Sequence, residues 1–223
     1  MKKIFLSLVV LLLVGANLRA AAVSGRVQVM GRPRWVKVAT VVYAEPLDNA
    51  RVQPGKFSIS QRNKTFSPPV LPVPVGSVVD FPNDDKVFHN VFSLSRPGPF
   101  DLGLYRSGAT KNRTFSTPSI YRIFCNIHPQ MTAIVLVLPT SYFTLTNAAG
   151  GYSLELPPGR YRLTVWSERS APSTSDITVA AAPISVAEMR LDESRFVEVS
   201  HKNKFGEDYP AMAYDPMIDR KSR

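Results

Sequence analysis

Apolar runs of strand length, cut by turn residues every eight to twelve positions, continue through most of this chain, and helical periodicity is nearly absent. Residues 150–166, G-G-Y-S-L-E-L-P-P-G-R-Y-R-L-T-V-W, show the pattern most clearly. Tyr152, Leu154 and Leu156 alternate with other residues, Pro157-Pro158-Gly159 turns the chain, and Tyr161, Leu163 and Val165 alternate again. A side-chain period of two on both sides of a proline-glycine turn marks neighbouring half-buried strands. An all-β protein follows, with weak helical spacing only over 185–194. The 223 residues have room for one large or two small domains.

The first residues follow a different rule. Lys2-Lys3 precede an apolar run over 4–14 and the small-residue stretch Ala20-Ala21-Ala22, the order of charged, apolar and small residues in a secretory signal peptide. Residues 1–22 are read as that leader, with cleavage after Ala20 or Ala22. The apolar run falls well short of the roughly 20 residues that span a bilayer, and no later segment suits a membrane span. The expected location is the periplasm.

Export makes the cysteine count informative. Oxidising compartments favour paired cysteines, yet Cys125 is the only one here. An unpaired thiol survives there when it is buried or bound. Cys125 opens the run C-N-I-H-P-Q-M, which places His128 and Met131 at successive intervals of three. Thiolate, imidazole and thioether together suit copper; zinc rarely takes methionine, and calcium or magnesium would take oxygens. A second histidine would complete a trigonal His2Cys set with a weak axial Met. His89, in V-F-H-N-V-F, follows a turn at Pro82-Asn83-Asp84-Asp85 and lies on an expected strand over 87–94. His201, in the polar stretch S-H-K-N-K, reads as a solvated residue. Strands expected over 120–124 and 132–138 flank the C-x-x-H-x-x-M loop, so one loop can present three donors while a neighbouring strand supplies His89.

These residues resemble the cupredoxins, the blue-copper proteins. C-N-I-H-P-Q-M is most similar to the short ligand loop of amicyanin. F-H-N-V-F and the approach P-V-G-S-V-V-D-F-P-N-D-D are similar to the segment around the first histidine in that family and in periplasmic proteins labelled methylamine utilisation proteins. The resemblance implies a Greek-key β-sandwich over 55–138 and one type 1 copper ion held by His89, Cys125, His128 and Met131. Asn90 would tie the His89 strand to the Cys125 loop. It also implies a buried His89 and a His128 whose ring edge reaches the surface within an apolar patch.

Residues 150–165 resemble a second family, the carboxypeptidase regulatory-like (transthyretin-like) β-sandwich. The G-x-V strand that usually opens that unit is found at Gly25-Arg26-Val27, far upstream. The copper module can therefore be inserted into the second sandwich, which would take 23–54 and 139–195; tandem order, with 23–138 as one sandwich, is the alternative. Residues 196–223 form a polar C-terminal tail, expected to be mobile. Trp35 and Trp166 are expected in core or interdomain packing, and a strand is expected over 35–43.

A site of this kind leaves no coordination position for a substrate, so the reading is an electron carrier cycling Cu(II) and Cu(I), and not an enzyme. A copper storage or delivery protein and a non-redox β-sandwich binding module are the alternatives. The net charge of +10 falls to +7 once Lys2, Lys3 and Arg19 leave with the leader. A basic exported protein points to redox partners with acidic docking surfaces. Nucleic acid does not fit the compartment.

Overall fold

The computed structural model describes residues 19–209 apart from 37, 39, 49, 50 and 199. The chain begins with β1 (Ala21–Met30) and β2 (Val41–Pro46). Ten strands follow: β3 (Lys56–Ser58), β4 (Ser60–Arg62), β5 (Thr65–Ser67), β6 (Val70–Pro74), β7 (Ser77–Pro82), β8 (His89–Ser93), β9 (Phe100–Tyr105), β10 (Thr110–Phe115), β11 (Ser119–Phe124) and β12 (Thr132–Leu138). The chain continues through β13 (Phe143–Leu145), β14 (Gly151–Leu156), β15 (Gly159–Trp166), β16 (Ser173–Val179), β17 (Ile184–Ser185) and β18 (Met189–Asp192). No helix occurs among the described residues. The fold is all-β, as the turn spacing requires. The weakly helical stretch 185–194 holds β17 and β18 instead, both running parallel to β1. An open strand edge that accepts backbone hydrogen bonds outweighs a faint local period.

The order of pairing decides the architecture. β1 pairs with β14, setting Val23 opposite Leu154, and β2 lies between β13 and β15. The sheet of β14, β1, β17 and β18 and the sheet β13-β2-β15-β16 enclose a core that includes Val23, Val42, Leu154, Leu163 and Leu191. The described pairings of β3 to β12 stay among themselves, in the sheets β6-β12-β11-β8-β9 and β10-β7-β3 and the hairpin β4-β5. Their core includes Phe66, Phe81, Val91, Ile123 and Val135. One sandwich is thus threaded between β2 and β13 of another. The two chain crossings run side by side: the Gln53 amide donates to Ser141 Oγ at 2.7 Å, and Thr140 Oγ1 donates to the Ala44 carbonyl at 2.7 Å.

β12 joins the two units. Its sequence T-A-I-V-L-V-L is an unbroken apolar run because both faces are covered. Ala133, Val135 and Val137 enter the core of the inserted sandwich. Ile134, Leu136 and Leu138 face Val41 and Trp166 of the outer one. Trp166 therefore packs between the units as expected. Trp35 does not; it is 55% exposed in a turn ahead of β2, and among the described residues of 35–43 strand structure starts at Val41.

Beyond β18, Glu193 is buried against three cation and hydroxyl partners. Arg32 donates to it through Nε at 2.9 Å and Nη2 at 2.5 Å, Ser167 Oγ donates at 2.5 Å, and Arg169 Nε lies 3.5 Å away. The cluster links the ends of β1 and β18 to the end of β15.

The leader expected over 1–22 falls largely outside the described residues. Its last two residues do not: Ala21 and Ala22 are in β1, opposite Leu156 and Glu155, and Ala21 is buried in the core. A leader ending at Ala22 would remove two strand pairs and a core side chain. A leader ending at Ala20, the other bound, leaves β1 whole. No helix among the described residues is long and apolar enough to cross a membrane.

Candidate metal centre

β8 and β11 are neighbours in one sheet, with Phe92 opposite Phe124. Antiparallel pairing there brings the start of β8, where His89 sits, beside the end of β11, where Cys125 leaves the sheet. β11 and β12 are also paired, Phe124 opposite Thr132, so residues 125–131 form the closed connection between them. Two backbone bonds tighten that connection: the Cys125 amide donates to the Met131 carbonyl at 3.3 Å, and the Met131 amide donates to the His128 carbonyl at 2.9 Å.

The side chains converge. Cys125 Sγ lies 3.8 Å from His89 Nδ1 and 3.8 Å from His128 Nδ1, and the two Nδ1 atoms are 3.2 Å apart. His89 and Cys125 are fully buried and His128 is half-buried. Met131 is fully buried in the same core cluster as Cys125. All four residues singled out from the sequence therefore lie on one loop and the adjoining strand. Three of them meet through their donor atoms. Phe88 and Ile127, the neighbours of His89 and His128 in sequence, are exposed apolar side chains.

Hydrogen bonding sets the orientation of the His89 ring. Its Nε2 lies 3.0 Å from Asp85 Oδ2. An ionised carboxylate only accepts, so Nε2 carries the proton and Nδ1 presents its lone pair to the thiol and to His128. Burial raises the Asp85 carboxyl, but the Lys64 amide, the His89 ring and the Lys86 amide outweigh it and hold the group below its ordinary range. Burial pushes the Cys125 thiol up, opposed by the amides of Asn90, Ile127 and His128. The Asn90 amide approaches Sγ at 3.5 Å. Those amides favour the thiolate, against the larger effect of burial.

Asn90 makes the expected tie. Its Oδ1 accepts from the Asn126 amide at 3.3 Å, and its Nδ2 donates to Asp101 Oδ1 at 2.6 Å. Asp85 and Asp101 were not singled out from the sequence. Asp85 had a signal, a carboxylate in the turn four residues before the histidine; Asp101 acts from β9, and nothing local marks it.

His201 contradicts its reading as a solvated residue. Its ring stacks on Phe124, centroids 3.9 Å apart and planes at 15°, and its Nε2 donates to the Pro129 carbonyl at 2.6 Å. Residues 200–209 of the tail lie against the ligand loop, because polar contacts to the loop backbone can hold a segment that has no apolar face. Residues 210–223 are outside the described residues.

The donor set and its size fit a copper ion. With bonds of about 2.0 Å to nitrogen and about 2.3 Å to sulfur, a trigonal ion separates two nitrogens by about 3.5 Å and nitrogen from sulfur by about 3.7 Å, against 3.2 and 3.8 Å here. Two imidazole nitrogens and a thiolate are the equatorial donors of blue-copper sites.

No family model matches the chain, and no curated protein matches it. Among solved structures it is similar to a purple cupredoxin from Nitrosopumilus maritimus, 27% identical over 36% of this chain and 98% of the other, with a TM-score of 0.34. It is similar to the Cu(I) form of an amicyanin variant, 21% identical over 43% of this chain and 99% of the other, with a TM-score of 0.36. A Cu-containing nitrite reductase from Thermus scotoductus SA-01 is 23% identical over 50% of this chain and 28% of the other, with a TM-score of 0.36.

Proposed function

We propose that this protein is an exported, periplasmic carrier of single electrons, with one copper ion held by His89, Cys125 and His128 and by Met131 as a weak axial donor. The observation that carries the reading is the triangle of 3.2 to 3.8 Å formed by two Nδ1 atoms and one buried sulfur, with Asp85 on the far nitrogen of His89. A bound copper ion would supply a one-electron Cu(II)/Cu(I) couple there. The chain does the rest. Asp85 holds one tautomer of His89, the Asn90 amide faces the sulfur, and the fully buried Cys125 and Met131 exclude water from the donors.

The reading has no catalytic step. The measurement that tests the whole reading is the absorption spectrum of the oxidised protein after Cu(II) is added. An intense visible sulfur-to-copper band that azide leaves unchanged is expected. A colourless product, or a band that azide alters, would refute the closed blue-copper site.

Met131→Leu should keep the copper and the visible band and raise the reduction potential, because loss of an axial donor destabilises Cu(II) more than Cu(I). Voltammetry checks this. An unchanged potential would make Met131 a packing residue.

The partners we propose are redox proteins with acidic docking faces, attracted by the basic surface. Exchange with such a partner should slow as salt rises, since the Debye length is only about 8 Å at physiological ionic strength, while the potential stays nearly constant. Stopped-flow rates that ignore salt would remove electrostatic steering from the account.

A further inference from the structure

Residues 200–209 are held by a turn of their own. The Asn203 amide donates to the Glu207 carbonyl at 2.8 Å, and Asn203 Oδ1 accepts from the Phe205 and Glu207 amides at 2.9 and 3.0 Å. Gly206 takes a left-handed φ of 82°, which costs glycine little. Lys202 pairs with Asp208 at 2.9 Å. The segment is therefore a shaped element with a defined face.

That face meets the ligand loop at three points and β9 at a fourth. His201 stacks on Phe124 and donates to the Pro129 carbonyl at 2.6 Å. The Lys204 amide donates to Asn126 Oδ1 at 3.0 Å. Tyr209 packs edge-on against His201, centroids 5.2 Å apart, and its hydroxyl donates to the Cys125 carbonyl at 3.4 Å. Lys204 Nζ reaches Asp101 Oδ2 at 2.8 Å. The last contact closes a ring: Lys204 to Asp101, Asp101 to Asn90, Asn90 to the Asn126 amide, and the Asn126 side chain back to Lys204. Asn90 follows His89 and Asn126 follows Cys125, so the ring sits directly behind two of the donors.

We propose that this segment is a built part of the metal centre, a strap whose His201, Lys204 and Tyr209 are positioning residues for the 125–131 loop. The proposal rests on the copper reading. Its contacts among the described residues fall on the backbone carbonyls and the amide side chain of the loop that carries the donors. The loop's own backbone bonds run at 3.3 and 2.9 Å between its ends and centre. The bracing at Cys125, Asn126 and Pro129 comes from outside, from a segment more than 70 positions further along. Holding a ligand loop on both sides limits how far its donors move when the ion changes charge. That restraint is what second-layer contacts contribute around metals.

The test uses His201→Ala and Lys204→Ala in the full chain, with His201→Phe to retain ring stacking without the bond to Pro129. In metal-free protein, amide exchange at Asn126 and Met131 should accelerate in both alanine variants, while amides of β1 and β14 keep wild-type rates. In copper-loaded protein, release of Cu(I) to a chelator should quicken about 10-fold, and the visible band should broaden or shift; His201→Phe should recover part of both. Wild-type exchange at Asn126 and Met131 in the alanine variants overturns the strap. Faster exchange with unchanged copper release and an unchanged band also overturns it as a positioning element, leaving a simple cover. If the wild-type protein forms no thiolate band with Cu(II), the copper reading on which the proposal rests falls with it, and that failure is recognised in the wild type before any variant is made.

Discussion

Replacing Cys125 with serine should abolish the visible absorption of the copper-loaded protein completely, while a weaker site with His89 and His128 still binds some Cu(II). The colour needs a sulfur that can pass charge to copper, and the chain has no second cysteine. Serine is nearly isosteric, so the sandwich should remain folded. Cys125 is one of many residues in that core, beside Phe81, Ile123, Met131 and Val135, and the buried serine hydroxyl has the His89 and His128 rings beside it as hydrogen-bond partners. Circular dichroism and the spectrum, taken on the same sample, separate the two effects. A Cys125→Ser protein that keeps the band would show that the sulfur is not the donor.

The second large effect lies in the outer sandwich. Glu193→Gln should destabilise the protein by about 3 kcal/mol, the low end of the range for breaking a buried ion pair. The low end applies because the Arg32 and Arg169 side chains keep 16% and 18% of their exposure and water can reach them once the carboxylate is gone. Burial raises the Glu193 carboxyl, but the hydrogen bonds from Arg32 and Ser167 and the charges of Arg32 and Arg169 outweigh it, so the group ionises below its ordinary range. A depressed folded value stabilises the protein above the unfolded value and loses that contribution as pH falls through the folded one. The gap between wild type and Glu193→Gln should therefore be full near neutrality and narrow in acid below the normal carboxylate range. Urea midpoints at several pH values measure it. A loss under about 1 kcal/mol, in the range of exposed pairs, or a gap independent of pH, would show that the cluster is solvated.

What could be read from residue order is what short-range physics writes locally. The alternation of Tyr152, Leu154 and Leu156 and of Tyr161, Leu163 and Val165 encodes two half-buried strands, because the side-chain period of a strand is two; both formed. Cys125, His128 and Met131 could be read as candidate donors because one tight loop carries them. His89 was legible because a lone thiol with one imidazole asks for another. The continuous run of β12 could be recognised as a strand. Its second buried face could not be assigned, since the partners Val41 and Trp166 are brought there only by the outer sandwich.

The misreadings have one cause. Residues 200–209 look solvated because they have no apolar stripe, and a stripe is all that a sequence shows of burial. Their order comes from polar contacts to Cys125, Asn126, Pro129 and Asp101, whose value depends on geometry over long separations. Trp35 failed in the opposite sense: a large apolar ring predicts burial, but the turn that holds it faces away from both cores. The chain by itself determined the strands, the turns and the chemical identity of the candidate donors, since these depend on neighbouring residues. Tertiary structure alone decided which strands pair across an 83-residue insertion of β3 to β12, which carboxylate orients His89, and what lies over the ligand loop, because contacts between distant segments leave no local periodicity to read.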